Sequence, residues 1–216
     1  MEMALDESAV NELTTRVNCG DASALGQLLE WYRPRLRMMV RLRMDRLLQT
    51  RVDPSDVLQE TFLEASSRLD EYIRNPAVPL YLWLRTIAGD QLLAAYRRHC
   101  RTQGRDARRE ISPCIGALPA ANSAALAEHF VACSTSPSGV AMQAELKETI
   151  ERALNELDVV DREIIVLRHF EELTNSEAAE VLDLKPSAAC NRYVRALERL
   201  RHVLDRFPDF ASELWK

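Results

Sequence analysis

Glycine is scarce in this chain, with six residues in 216, under half the usual share of about 7%. Val, Ile and Thr together number 30, against 56 for Leu and Ala, and aromatic residues make up 6%. That shortage of turn formers and β-branched side chains excludes a β-sandwich or barrel and argues against a doubly wound sheet. No apolar run approaches the roughly 20 residues that cross a bilayer, so no membrane insertion is expected. The opening MEMALDESAV carries neither a basic n-region nor an apolar core, so a secretory signal is not expected and the chain reads as cytoplasmic.

The cysteines, at 19, 100, 114, 133 and 190, are odd in number and form no CxxC, which points to reduced thiols. The pairs His99-Cys100 and His129-x3-Cys133 each lack a matching second pair, so neither a metal site nor a cofactor is expected. No nucleophile–base set, P-loop or HExxH is legible, so no catalytic residues are assigned and the chain is not read as an enzyme.

What is present is helix-forming sequence, 47% apolar and 28% charged, which excludes a wholly disordered chain and predicts an all-α protein. The net charge of −5 argues against nucleic acid only as an average, because the charge is sorted. Residues 31–51 hold seven arginines against Asp45, and 97–109 hold six against Asp106. Residues 185–201 carry Lys185, Arg192, Arg195, Arg199 and Arg201 against Glu198. Such blocks can form footprints for phosphate, although for any one of them a solvated helix face is the better account.

Residues 21–101 read as helices, with breaks at Pro34, at Asp53-Pro54 and across 75–79. Residues 102–140, with Pro113, Pro119 and Pro137 among Ser, Ala and Gly, read as a linker with one short helix near 121–132. Helical periodicity resumes over 141–206. Residues 1–20 are then an N-terminal extension and 207–216 a C-terminal tail. Asp53 is placed to cap a helix whose first residue is Pro54, running to about Asp70. Val57, Leu58, Phe62, Ala65 and Leu69 form its apolar stripe, with Asp56, Gln59, Glu60 and Glu64 largely outside it.

The stretch 172–201, ELTNSEAAEVLDLKPSAACNRYVRALERLR, is the most informative. Thr174 and Glu177 make a capping box opening a short helix. Asp183-Leu184-Lys185 forms a break, and Pro186 starts a long helix. Ala189, Tyr193, Ala196 and Leu200 face inward. Ser187, Ala188, Asn191, Arg192, Arg195 and Arg199 face outward. Short helix, tight turn and long basic helix form a helix-turn-helix, whose second helix suits the major groove. The alternative is a helical hairpin with a charged exterior.

Taken together these segments resemble the extracytoplasmic-function (ECF) sigma factors, two-domain members of the sigma-70 family of bacterial transcription initiation factors. Asp56-Val57-Leu58-Gln59-Glu60-Thr61-Phe62 is similar to the family's D-x-x-Q-E-x-F signature. Trp83-Leu84-x-x-Ile87-Ala88, followed by Tyr96-Arg97-Arg98, is similar to its W-L-x-x-I-A…R-R segment. Leu154-x-x-Leu157 and Arg162-Glu163 through Leu173 are similar to its region 4. The resemblance implies that 21–101 is a region 2 bundle and 141–206 a region 4 helix-turn-helix.

It further implies that Asp56, Gln59 and Glu60 bind the clamp helices of the large subunit of core RNA polymerase. Tyr72, Asn75, Tyr81, Asp90, Tyr96, Arg97, Arg98 and Arg101 fall on the surface implied to meet the melted minus-ten element. Lys185, Ser187, Ala188, Asn191, Arg192, Arg195 and Arg199 fall on the helix implied to read the minus-thirty-five duplex. An anti-sigma factor is a further implied partner. Asp90 stands where many members have Asn, Asp183 where a turn Gly is frequent, and Cys190 where Lys or Arg is common. The competing reading is a helix-turn-helix regulator that binds an operator as a dimer, without polymerase.

Overall fold

A computed structural model describes residues 7–100, 114–115, 118–133 and 140–204. The fold is all-α, and the strands among the described residues are two antiparallel pairs of residues, β1 (Cys114–Ile115) and β2 (Leu118–Pro119). The chain divides into two compact units, the first formed by 1–40 and 48–104, the second by 41–47 and 105–216.

In the first unit, α1 (Glu7–Asn18) opens the chain and buries Leu13 and Val17, so the residues read as an extension contribute to the core. Gly20, at φ 87°, turns the chain, and its N–H reaches the Val17 carbonyl at 2.9 Å. Asp21 then caps α2 (Ala22–Arg43), its carboxylate accepting from the Ser23 and Ala24 N–H groups. The Ser23 hydroxyl, then Arg16 and those backbone bonds, hold the Asp21 carboxyl far below the usual carboxylate range.

The predicted break at Pro34 does not occur, because α2 runs straight through it. Leu28, Leu29 and Tyr32 before Pro34, and Leu36, Met39 and Val40 after it, are all buried. Their burial offsets the roughly 3 kcal/mol that an interior proline costs a helix. The short α3 (Arg46–Gln49) leads to α4 (Pro54–Ser67). Asp53 caps α4 as predicted, accepting from the Ser55 N–H at 2.7 Å, and Asp56 closes a capping box onto the Asp53 N–H.

Helix α4 ends at Ser67 rather than near Asp70, and the chain re-enters helix as α5 (Leu69–Arg74). Helix α6 (Leu80–Cys100) follows. Leu80, Tyr81, Leu82, Leu84, Ile87, Ala88, Leu92, Ala95 and Tyr96 are all buried along it.

The second unit has its expected short helix, α7 (Ser123–Cys133), which packs on α8 (Val140–Glu156). Ala120, Ala121, Leu126, Ala127 and Phe130 are buried, so this part of the segment read as a linker belongs to a core. Helix α9 (Val159–Ile165) passes directly into a π-helical turn, Val166–Phe170. Asp158 caps α9, accepting from the Val160 N–H at 2.8 Å. The capping box of Thr174 and Glu177 opens α10 (Asn175–Val181), and α11 (Pro186–Leu204) completes the unit.

Candidate nucleic-acid interface

The helix-turn-helix of α10 and α11 is assembled by small side chains. Ala178, Ala179, Ala189 and Ala196 are buried with Ile164 and Leu200, and Leu182, Leu184 and Tyr193 pack at the edge. Alanines at both contact faces let the helices approach closely. The turn is fixed by backbone: the Leu184 N–H reaches the Ala179 carbonyl at 2.9 Å, and the Asn175 side-chain amide donates to the Pro186 carbonyl at 2.8 Å. Asp183 supplies the left-handed residue, at φ 52°.

At 3.6 residues per turn, Ala189, Tyr193, Ala196 and Leu200 form one stripe of α11. The opposite side carries Ser187, Cys190, Asn191, Val194, Arg195 and Glu198, all exposed. Lys185 is exposed just before the helix, and Ala188 is half-buried. Arg192 and Arg199 lie between these faces and turn onto α9. Arg192 Nη1 meets Asp161 Oδ1 at 2.7 Å, and Arg199 Nη1 meets Asp161 Oδ2 at 3.2 Å. Arg192 also lies 3.7 Å from Asp158.

In the first unit, Asp56, Gln59 and Glu60 are exposed on α4, while Val57, Leu58, Thr61 and Ala65 are buried. Leu63, about one turn beyond Glu60, is 70% exposed. An exposed leucine among carboxylates has the composition of a docking face. Sequence reasoning passed over Leu63, although its place outside the apolar stripe of α4 is the signal that marks it.

Asn75, Asp90, Arg97 and Arg98 are exposed, and Arg101 lies outside the described residues. The three tyrosines of the predicted minus-ten set are placed differently. Tyr72, Tyr81 and Tyr96 are 6%, 3% and 6% exposed. Tyr72 stacks on Trp83 at 4.6 Å and donates its hydroxyl to the Val78 carbonyl at 3.1 Å. Tyr81 packs at 5.3 Å from Tyr32, with the Arg35 guanidinium 4.1 Å from its ring. Stacking on a base needs a free ring face, and rings packed in this way offer none. The tyrosines instead shape the loop and helix that carry the exposed residues.

Among the described residues no group of three or more His, Cys, Asp or Glu is arranged to hold a metal ion, and no helix is long and apolar enough to cross a membrane. Cys19 and Cys190 are free and exposed.

The family described as Sigma-70, region 4 matches residues 147–200, which span the helix-turn-helix. The ECF RNA polymerase sigma factor SigD of Mycobacterium tuberculosis is 26% identical over 209 residues, covering 97% of this chain and 90% of SigD. The ECF RNA polymerase sigma-E factor of Escherichia coli is 28% identical over 195 residues, covering 87% and 90%. The chain is thus similar to ECF sigma factors along most of its length, and to region 4 of the sigma-70 family over its helix-turn-helix. These likenesses support a sigma factor role in transcription initiation, and the dimeric-regulator alternative is not favoured. Among solved structures, CnrH in complex with the cytosolic domain of CnrY shares the fold, with a TM-score of 0.52 and 24% identity over 90% of this chain and 96% of that one.

Sequence reasoning missed Asp158 and Asp161. They sit in an acidic segment, DVVDRE over 158–163, and their partners lie about thirty to forty residues further along the chain.

Proposed function

We propose that this protein is an ECF sigma factor that uses three separate surfaces, one for polymerase and two for promoter DNA. On the first, Asp56, Gln59 and Glu60 of α4 engage the clamp helices of the large polymerase subunit. Leu63 supplies the apolar centre and the carboxylates its rim. The capping box fixes the start of the helix and so the position of this face.

Minus-ten DNA is met by Asn75, Asp90, Arg97 and Arg98, on the loop and helix that Tyr72, Tyr81 and Tyr96 hold in shape. The arginines neutralise phosphates of the displaced strand, and unpairing is offset by contacts to the extruded base. The minus-thirty-five duplex is read by α11. Ser187, Asn191 and Arg195 project from its outward face, with Lys185 on the backbone beside them. Asn and Arg at such positions form the bidentate contacts that distinguish adenine and guanine in the major groove. Arg192 and Arg199 lie on its flank, paired with Asp161.

All of this is binding and selectivity exerted in the cytoplasm, and the bond-making chemistry is the polymerase's. Two weak DNA sites on one chain gain from effective concentration once polymerase fixes their spacing. An anti-sigma factor competing for these surfaces would regulate the protein, a reading supported by the CnrH fold having been solved with a bound partner domain.

The observation that carries this reading is the exposed Ser187–Asn191–Arg195 face on a helix seated by a fully buried alanine contact. Run-off transcription with core polymerase tests it. Glu60→Lys abolishes transcripts from every promoter and loses core binding. Arg195→Ala weakens promoters that depend on the upstream element, by about 1–3 kcal/mol where Arg195 reads a base. Full activity of both variants would overturn the reading.

A further inference from the structure

On a helix that approaches an anionic duplex, two of the arginines are already occupied. The Asp161 carboxylate is divided between them, with Oδ1 on Arg192 at 2.7 Å and Oδ2 on Arg199 at 3.2 Å. Its side chain is 9% exposed, whereas those of Arg192 and Arg199 are 41% and 60% exposed. The carboxylate is therefore fixed on α9 while the arginines bridge from the flank of α11 to its surface. Asp158 adds a second carboxylate 3.7 Å from Arg192. By contrast, Arg195 and Lys185 make no ion pair with a described residue.

We propose that Asp161 is a specificity-determining residue that withholds Arg192 and Arg199 from DNA phosphates, so that α11 discriminates by its outward face rather than binding any duplex by charge. The inference rests on α11 being the duplex-reading helix. Phosphate contacts carry no sequence information, and each one makes binding steeper in salt, by about 0.9 in the slope of log affinity against log salt. Two arginines released from Asp161 raise affinity for every sequence alike and so lower discrimination. Retaining them favours a factor that stays off bulk DNA until polymerase positions it, in keeping with the overall net charge of −5.

The test is fluorescence anisotropy of the full-length protein with a random-sequence duplex of about 30 base pairs, titrated from roughly 25 to 200 mM KCl. Asp161→Asn is expected to tighten binding several-fold at low salt and to steepen the slope by about one to two. Adding Arg192→Gln and Arg199→Gln to that variant returns the slope to the wild-type value or below. Asp158→Asn keeps a capping oxygen and removes only the outer charge, so it shifts the slope the same way by less. It serves as the test if Asp161→Asn unfolds.

An unchanged slope, or weaker binding by a folded Asp161→Asn protein, overturns the proposal, because a purely architectural carboxylate lowers affinity when removed. Arg195→Ala separates the two levels. If it flattens the wild-type slope while the aspartate variants do nothing, α11 meets DNA and only this inference falls. If neither Arg195→Ala nor the aspartate variants move the slope, the reading of α11 falls with it.

Discussion

The Glu163 carboxylate accepts a hydrogen bond from the backbone N–H of Ala121 at 3.0 Å, both groups being buried. Its other oxygen is paired with Arg43, which also lies 2.8 Å from Glu171. Burial works against the Arg43 charge, but the two carboxylates more than reverse this and hold its pKa above the ordinary value. All these residues belong to the second unit, where the Asn122 N–H also reaches the Leu42 carbonyl at 2.7 Å. One cation thereby links α9 to the residue that follows the π turn, and through Glu163 to the residues that precede α7.

Removing that cation takes a shared counter-ion from two buried carboxylates. Arg43→Ala is expected to lower stability by about 3–5 kcal/mol, read as a fall in the urea midpoint. Arg43→Met combined with Glu163→Gln and Glu171→Gln recovers much of the loss, since an apolar or neutral replacement of a buried ion cluster is often close to neutral. A single Arg43→Ala change that costs less than about 1 kcal/mol would show that the network is not required.

Two non-glycine residues hold left-handed backbone, Glu172 at φ 53° and Asp183 at φ 52°. That conformation costs an L-residue about 1–2 kcal/mol, less for Asp, which tolerates it. Asp183→Gly is therefore expected to leave stability unchanged or raise it by up to about 1 kcal/mol. Asp183→Val, which is β-branched, lowers it by more than that. Thermal unfolding of the two variants against wild type measures the difference, and its sign reports on the backbone rather than on any lost contact.

Elements whose ends are set by local chemistry were legible in sequence. Asp53 with Pro54, Thr174 with Glu177, and Pro186 each mark a helix start within four residues, and the structure begins helices at those places. Pro34 misled because the energy that overrides it comes from burial of Leu28, Leu36 and Met39, which no local rule contains. In α6 buried residues occur on most sides of the helix, so it has no single apolar stripe. Without a stripe, nothing in the pattern separates core tyrosines from surface ones on α6, and Tyr72, Tyr81 and Tyr96 enter the DNA set through aromatic composition and the family resemblance, neither of which reports burial. On α4 and α11, which each have one buried face, period finds the exposed Asp56, Gln59, Glu60, Ser187, Asn191 and Arg195, while Ala188 and Arg192 of the outward set on α11 are half-buried. What period cannot supply is the pairing of Arg192 and Arg199 with Asp161, which depends on how α9 crosses α11.

The placement of Tyr72 yields its own test. Tyr72→Phe keeps the ring on Trp83 and loses the bond to the Val78 carbonyl, which costs about 1 kcal/mol. Tyr72→Ala empties a core position and costs about 3–5 kcal/mol. If the ring is scaffold, open-complex formation measured by permanganate footprinting is close to wild type for Tyr72→Phe at temperatures where that variant is folded. A Phe variant that folds normally yet fails to open the promoter would return Tyr72 to the DNA surface through its hydroxyl.

Acid sensitivity of the second unit follows from two histidines. His169 lies in the π turn and His129 on α7, each ring about 5 Å from that of Phe170. Burial lowers the pKa of both, and Arg41 and His169 lower that of His129 further. In the unfolded chain each imidazole titrates near its ordinary value of about 6.5. Below that pH the unfolded state binds protons that the folded state refuses, so stability falls as pH drops through the window between the two values and is fully present above it. Urea midpoints are thus expected to be equal at pH about 7.5 and 8, and lower at pH about 5.5. His169→Gln flattens part of that fall, and the double variant with His129→Gln flattens more. A wild-type midpoint that does not change between pH about 7.5 and 5.5 would mean that both rings protonate as freely in the folded protein as in the unfolded chain.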